Sequence, residues 1–269
     1  MNISRKRVVL VCLILMHLLV ASCCSVIAFL WMPDTEVFGG VFLGTVFAQG
    51  SLLAVWIALG RGAFTGRCLL VFLLLTTSGT LLMLPIACES DGWSFALAFG
   101  AILLGQWLAV QTPLWLIRLV FGWRIGLLDT VADDSGRDEL QFGIKQLLGW
   151  TAAVAALLGI GRLLAGDELR DPETAWEMVA FALVLAGGNV MVAWPMIWAM
   201  LVRRWVPVWT AVALAIAVVI TLEEPNVFSR VTRGSADAEV FWWINGVHIA
   251  WVYLSLVAIR LCGYRMEQR

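Results

Sequence analysis

Two histidines, His17 and His248, are the first residues whose type and placement suggest chemistry, and the chain has no others. Each lies inside a long apolar stretch, about ten residues into the first stretch and about seven residues into the last. At about 1.5 Å per residue, their predicted depths in an apolar layer differ by only a few ångströms. If the two helices are neighbours, the imidazoles could hold a haem b, as in membrane electron carriers. The alternative, which we favour, is that each histidine is neutral and hydrogen-bonded to a neighbouring helix.

Polar amides in two other apolar stretches form a second candidate site. Gln106 and Asn189 each lie about thirteen residues from the same predicted end, near the middle of a bilayer. Glycine and proline close to them can break a helix and free backbone groups for a substrate. One hypothesis is therefore a solute path lined by Gln106, Gln111 and Asn189, with Glu177 at its outer mouth. Against it, amides in membrane helices often only join helices, and no Asp or Glu is predicted at mid-depth to couple transport to an ion.

The sequence carries none of the usual catalytic patterns. GxSxG, HExxH, a P-loop and GxGxxG are all missing. The six cysteines form no CxxC pair and no metal-ligand spacing with histidine, so we predict neither a catalytic residue nor a metal site. We expect a protein that is not an enzyme, with an unfamiliar intramembrane enzyme as the less favoured alternative.

The composition is too apolar for a water-soluble domain, and it defines the elements that must position these residues. Of 269 residues, 61% are hydrophobic and 14% are charged, whereas a soluble domain is about half apolar and about a quarter charged. A spanning helix needs about 20 mainly apolar residues. The sequence therefore predicts an all-α, polytopic bundle of transmembrane helices, with the lipid bilayer as its main partner. We predict about eight spans: 8–31, 38–59, 68–87, 93–117, 143–164, 176–201, 205–222 and 241–261.

The distribution of charge predicts how the chain is threaded. With the N-terminus inside and alternating spans, the inside regions hold 14 of the 18 Lys and Arg residues and the outside regions hold four, as the positive-inside rule requires. Both termini are therefore expected in the cytoplasm. The predicted outside loops are instead acidic: 33–36, 88–92, 166–173 and 221–225. A net charge of -1 provides no basic field for binding nucleic acid.

Two features bear on how the spans pack. The sequence GVFLG at 40–44 is a GxxxG pattern, which allows two helices to approach closely, and we expect it to act inside the bundle rather than between copies. Eight spans could arise by duplication of four, but no matching residues are evident between the halves. We therefore expect a single integral membrane domain over residues 1–269.

One segment resembles proteins of a known group. GWRI at 122–125, then an acidic linker, then QFGIKQLL at 141–148, is similar to a segment of uncharacterised multi-pass membrane proteins of planctomycete bacteria. The usual form of that segment has serine where this chain has Gly143. The resemblance covers residues 118–162 only. It implies an eight-helix protein of the bacterial inner membrane and assigns no catalytic residue.

These observations favour an integral membrane protein without enzymatic activity, acting as a component of an assembly with other membrane proteins. The alternative is a solute transporter or channel with its polar path between the fourth and sixth spans, and a haem-binding electron carrier is less favoured. The surroundings of Gln106 and Asn189 distinguish the first two. A carrier needs its polar groups available to a solute, whereas an assembly component packs them against protein.

Overall fold

The computed structural model of the chain describes residues 36–60, 92–127, 172–201, 205–232 and 237–268, together with residues 12, 15–17, 19, 20, 23 and 67. The continuous ranges form five helices and two short strands. These are α1 (Glu36–Leu59), α2 (Gly92–Phe121), β1 (Trp123–Leu127), α3 (Pro172–Leu201), α4 (Val206–Thr232), α5 (Ala238–Leu261) and β2 (Tyr264–Gln268).

Four helices in the described part of the chain are long and apolar enough to cross a bilayer. They are Gly39–Leu59, Leu183–Leu201, Val206–Val231 and Ala238–Leu261. A further predicted span, 93–117, lies within α2. The prediction of a helical protein with apolar spans is therefore confirmed. The predicted spans 68–87 and 143–164, and most of 8–31, lie outside the described residues, so the number eight and the placement of the termini stay predictions.

One predicted boundary is wrong. The predicted outer loop at 221–225 lies inside α4, which continues to Thr232. Pro225 does not end the helix, and the Thr221 hydroxyl donates to the Ala217 carbonyl within it. The acidic pair that indicated a loop has two different environments, because Glu223 is exposed and Glu224 is buried.

The helix breaks at proline and glycine that the solute-path hypothesis allowed do not occur in α2 or α3. α2 continues through Pro113 and α3 continues through Pro195. A proline removes one backbone donor, and such a loss is tolerated in membrane helices where polar side chains serve the freed groups. The carbonyl that Pro113 leaves without a helical donor is that of Ala109, and the Thr112 hydroxyl donates to the carbonyl one residue earlier, that of Leu108.

Hydrogen bonds between helices establish that α1 and α2 run in the same direction. The Gln106 side chain of α2 donates to the carbonyl of Phe47 in α1. Twelve residues later, Arg118 donates to the carbonyl of Ala58, eleven residues after Phe47. The contacts advance together along both helices, which only parallel helices allow.

The directions of the other helices follow from the same kind of contact. α5 is parallel to α1, since Gly40 lies against Trp243 and Gly44 lies against His248 one turn later on both helices. α4 is antiparallel to α5, since the ring of Phe228 lies near that of Phe241 in a tilted arrangement while Glu224 contacts Asn245. α3 ends beside Arg260 of α5, whose guanidinium donates to the Met200 carbonyl. Helices α1, α2, α3 and α5 therefore end at one side of the bundle, which we call the arginine end.

The GxxxG pattern forms a close contact between α1 and α5, as expected. A Cβ atom on Gly40 would lie 2.5 Å from the Cβ of Trp243. A Cβ on Gly44 would overlap the carbonyl of Ile244 and lie 2.9 Å from the Cβ of Val247. Only glycine allows the two backbones this close.

At the arginine end, two hydrogen bonds reveal an internal repeat. The Arg118 guanidinium donates to the carbonyl of Ala58 at 2.7 Å, and the Arg260 guanidinium donates to the carbonyl of Met200 at 2.6 Å. Donor and acceptor are 60 residues apart in both bonds, and the second bond lies 142 positions after the first. At this offset α1 corresponds to α3 and α2 corresponds to α5.

The residues that follow the two arginines match as well. The sequence IRLVFGWRI at 117–125 corresponds to IRLCGYRM at 259–266, with one residue fewer in the second copy. Both glycines have a positive φ, 66° at Gly122 and 89° at Gly263, and each ends its helix. The two copies then pair as the antiparallel strands β1 and β2. The expectation that the halves share no matching residues is therefore wrong.

Candidate functional site

A set of polar side chains crosses the middle of the bundle, one from each of four helices. Ser51 of α1, Gln106 of α2, Asn189 of α3 and His248 of α5 are at most 2% exposed. We call these four residues the polar layer. Asn189 precedes Met200 by eleven residues and His248 precedes Arg260 by twelve, so both lie about 17 Å from the arginine end. Gln106 has the same position relative to Arg118, near the middle of a layer about 30 Å thick.

Hydrogen bonds satisfy only part of the polar layer. The Ser51 hydroxyl lies 3.0 Å from Nε2 of His248, and Nε2 of Gln106 donates to the Phe47 carbonyl at 3.3 Å. Among the described residues, Oε1 of Gln106, Nδ1 of His248 and both amide atoms of Asn189 have no partner. Buried polar atoms are almost always paired, and these four atoms are the exceptions within the polar layer among the described residues.

The other two members of the predicted solute path are placed differently. Gln111 is buried on α2, where its Oε1 accepts a hydrogen bond from Nε1 of Trp115 at 3.3 Å in the same helix. Its Nε2 has no partner among the described residues. Glu177 lies in the second turn of α3, and only its backbone is described. Of the four residues of the predicted solute path, only Gln106 and Asn189 are therefore shown to lie at about the same depth in the bundle.

His17 is next to α5, as the haem hypothesis requires, but at a different depth from His248. Its Nε2 lies 3.2 Å from the Ser255 hydroxyl, and its ring centroid lies 5.3 Å from that of Trp251. Gln49 of α1 donates to the His17 carbonyl at 3.0 Å. Ser255 is seven residues after His248, about 10 Å along the helix. To bind a haem iron through Nε2, each imidazole would have to give up its hydrogen bond with a serine hydroxyl. The haem site stays a prediction.

A carboxyl group lies one turn from the polar layer, where the sequence predicted a loop. Glu224 of α4 is 4% exposed, and its Oε2 accepts a hydrogen bond of 2.6 Å from Nδ2 of Asn245 in α5. Its Oε1 faces Gly188 of α3, where a Cβ atom would lie only 2.5 Å from that oxygen. Neither Oε1 of Glu224 nor Oδ1 of Asn245 has a hydrogen-bond partner in the described ranges.

The internal repeat has different residues at two positions of this group. At the offset of 142 residues, Gly188 corresponds to Val46 and Asn245 corresponds to Leu103. Both counterparts are apolar, and Val46 is buried. At these positions the first half has valine and leucine, and the second half has glycine and asparagine. Among the described residues, the group around Glu224 therefore has no counterpart in the first half.

No known protein family, curated protein or solved structure matches this chain. The chemistry of the site therefore rests on its own residues. Unpaired donors and acceptors in the polar layer are suited to a ligand that can both donate and accept hydrogen bonds. The carboxyl of Glu224 adds a group that can carry charge next to that layer.

Proposed function

We propose that the chain is an eight-span carrier for a small polar solute, made of two related four-span halves, in a bacterial inner membrane. The observation that supports this most is Asn189. Its amide is completely buried, and neither amide atom has a partner among the described residues. A residue that only joined helices would have at least one partner. A group left unsatisfied in a membrane interior is instead typical of a ligand site.

The directions of the helices support the proposed threading. Since α1 and α2 both end at the arginine end, the chain between them has to return to the opposite side, as the predicted span 68–87 would do. The same holds between α2 and α3, where the predicted span is 143–164. The arginine end is also the side that the charge distribution predicts to be cytoplasmic.

The repeat supports the position of the solute site. In transporters built from parallel repeats, the site lies near the midplane between the repeats. The polar layer meets both conditions, since Ser51 and Gln106 come from the first half and Asn189 and His248 from the second. Its unpaired atoms include an amide donor and amide acceptors. An uncharged solute with hydroxyl or amide groups could form hydrogen bonds with these atoms. Because all four residues of the polar layer are buried, we take the structure to represent a closed conformation of the carrier.

A role in a membrane assembly is the second candidate, and one observation favours it. α4 exposes a row of large apolar side chains along its length, among them Val212, Val219 and Leu222. Lipid or a partner protein would cover such a face. Size measurement in mild detergent separates the two roles, since a carrier acting alone gives single chains and an assembly component gives a larger particle with other proteins.

Cysteine labelling tests the solute path without knowledge of the substrate. In a variant whose six native cysteines are replaced by alanine, Asn189→Cys and Gln106→Cys are treated in proteoliposomes with a charged, water-soluble methanethiosulfonate. We expect both to react, because a carrier exposes its central site to water during its cycle. Val219→Cys, 57% exposed on the apolar face of α4, is the control that should stay unreacted. Failure of both central cysteines to react faster than this control would contradict the carrier.

A further inference from the structure

The Glu224–Asn245 pair is a polar group that the solute path does not use. Each of the two side chains has an oxygen atom that receives no hydrogen bond from a described residue. Asn245 donates to Oε2 of Glu224, which leaves Oε1 of Glu224 and Oδ1 of Asn245 as two acceptors without a donor among the described residues. A carboxyl group in this setting needs a positive partner, because isolated charge is costly to bury in an apolar interior.

The described residues around Glu224 supply no such partner. On its own helix, Glu223 is exposed and acidic. α3 contributes Gly188, which has no side chain. On α5, Asp237 and Glu239 are acidic and exposed near the start of the helix, and His248 has its Nε2 beside Ser51. No lysine or arginine in the described ranges contacts the carboxyl.

A proton is the partner that fits this geometry best. Bound to Oε1, it would turn that oxygen from an acceptor without a donor into a donor. Because Gly188 has no side chain, Oε1 of Glu224 lies close to the backbone of α3. This close approach leaves little room for the several oxygen ligands that a metal cation requires. In α5, Asn245 also precedes His248 by three residues, so the carboxyl lies about one helical turn from the polar layer.

We propose that Glu224 binds an exchangeable proton, with Asn245 positioning the carboxyl, and that this proton drives the solute carrier. The coupling role rests on the proposed function, whereas binding of the proton does not. The proton adds to Oε1 when the site opens to water and leaves from the same atom, so no other reactant takes part. Asn245 is seven residues, about 10 Å, from the start of α5, so the site is nearer the predicted outer side.

Carbodiimide labelling tests the proton directly on the full-length wild-type protein in detergent. Dicyclohexylcarbodiimide partitions into apolar interiors and reacts with protonated carboxyl groups there. We expect peptide mass spectrometry to find Glu224 modified and the adjacent, exposed Glu223 unmodified. The labelling should decrease as the pH is raised, and it should disappear in Glu224→Gln. A Glu224 that stays unlabelled at every pH would overturn the proposal. So would labelling that sodium chloride prevents at constant pH, since the bound cation would then be sodium.

The outcomes for the proton site and for the carrier are separable. Labelled Glu224 together with an unreactive Asn189→Cys would retain the proton site and reject the solute path. Reactive Asn189→Cys together with unlabelled Glu224 would retain the path and reject the proton. Asn245→Leu adds a test of positioning, because it keeps the carboxyl but removes its donor. It should change the pH at which labelling is half-maximal, which a purely structural role would leave unchanged.

Discussion

Ile125 of β1 pairs with Met266 of β2, and each residue is the counterpart of the other in the internal repeat. On either side, Arg124 pairs with Glu267 and Gly126 pairs with Arg265. An antiparallel ladder in which one residue faces its own counterpart has a local two-fold axis through that pair. The described helices that correspond, α1 with α3 and α2 with α5, are consistent with a pseudo-two-fold axis that passes through this ribbon.

The repeat predicts that the two halves can assemble as separate chains. We expect residues 1–134 and 135–269, expressed together, to purify as a complex through a tag on one half, because the contacts of α1 with α5 and of β1 with β2 need no covalent link. A second half that ends at Cys262 lacks β2 and should be recovered in smaller amount. Halves that never purify together would show that the continuous chain is essential.

Close packing at Gly44 predicts a strong effect of a single methyl group. Gly44→Ala should lower the free energy of unfolding in detergent by about 1–3 kcal/mol, because the new Cβ would overlap backbone and side-chain atoms of α5. A lower temperature of thermal unfolding would report this loss. Gly39→Ala in the same helix is the matched control, since a Cβ there meets nothing within 4 Å. Equal stability of the two variants would contradict the close contact of α1 with α5.

Matching arginines predict matching effects of their removal. Arg118→Leu and Arg260→Leu should each destabilise the protein, by about 1–3 kcal/mol, because each leaves a helix-end carbonyl without its charged donor. The loss should be larger for Arg118, which is 6% exposed. Arg230→Leu, at an exposed position near the end of α4, is the control and should change the unfolding temperature little. Thermal unfolding followed by circular dichroism provides the comparison.

Replacing Asn189 by an apolar residue should have opposite effects on stability and on transport. Asn189→Leu should raise the free energy of unfolding by about 1–2 kcal/mol, since an apolar side chain replaces a buried amide that has no partner among the described residues. The counterpart Phe47 shows that the fold accepts an apolar residue there. Solute flux into proteoliposomes, measured with a panel of labelled polyols, sugars and amides, should be lost. A variant that is both less stable and fully active would contradict this account of Asn189.

The sequence predicted the helices well where apolar length alone determines them, and it predicted the contact at Gly40 and Gly44 from the spacing of two glycines. It failed at Glu224, because two acidic residues before Pro225 are typical of a loop. The burial of Glu224 depends on Gly188 and Asn245 in other helices, and no local pattern contains that information.

The repeat escaped notice for a different reason. Its clearest match is confined to nine residues at 117–125 and eight at 259–266, and the difference of one residue shifts the register inside it. Elsewhere apolar residues replace one another freely, since lipid and neighbouring helices accept many of them. The structure made the repeat visible through two hydrogen bonds of the same kind, in each of which an arginine side chain donates to the backbone carbonyl of the residue 60 positions earlier.

The paired strands also have a mechanical consequence. They join the two halves at the arginine end, while α1 and α5 join them toward the opposite end through Gly40 and Gly44. A rocking motion about the ribbon would therefore also have to change the contact between α1 and α5. Glu224 lies among α3, α4 and α5 of the second half, so such a motion would carry it together with Asn189. Distances between spin labels placed at the two ends, measured with and without β2, would reveal whether the ribbon is the pivot.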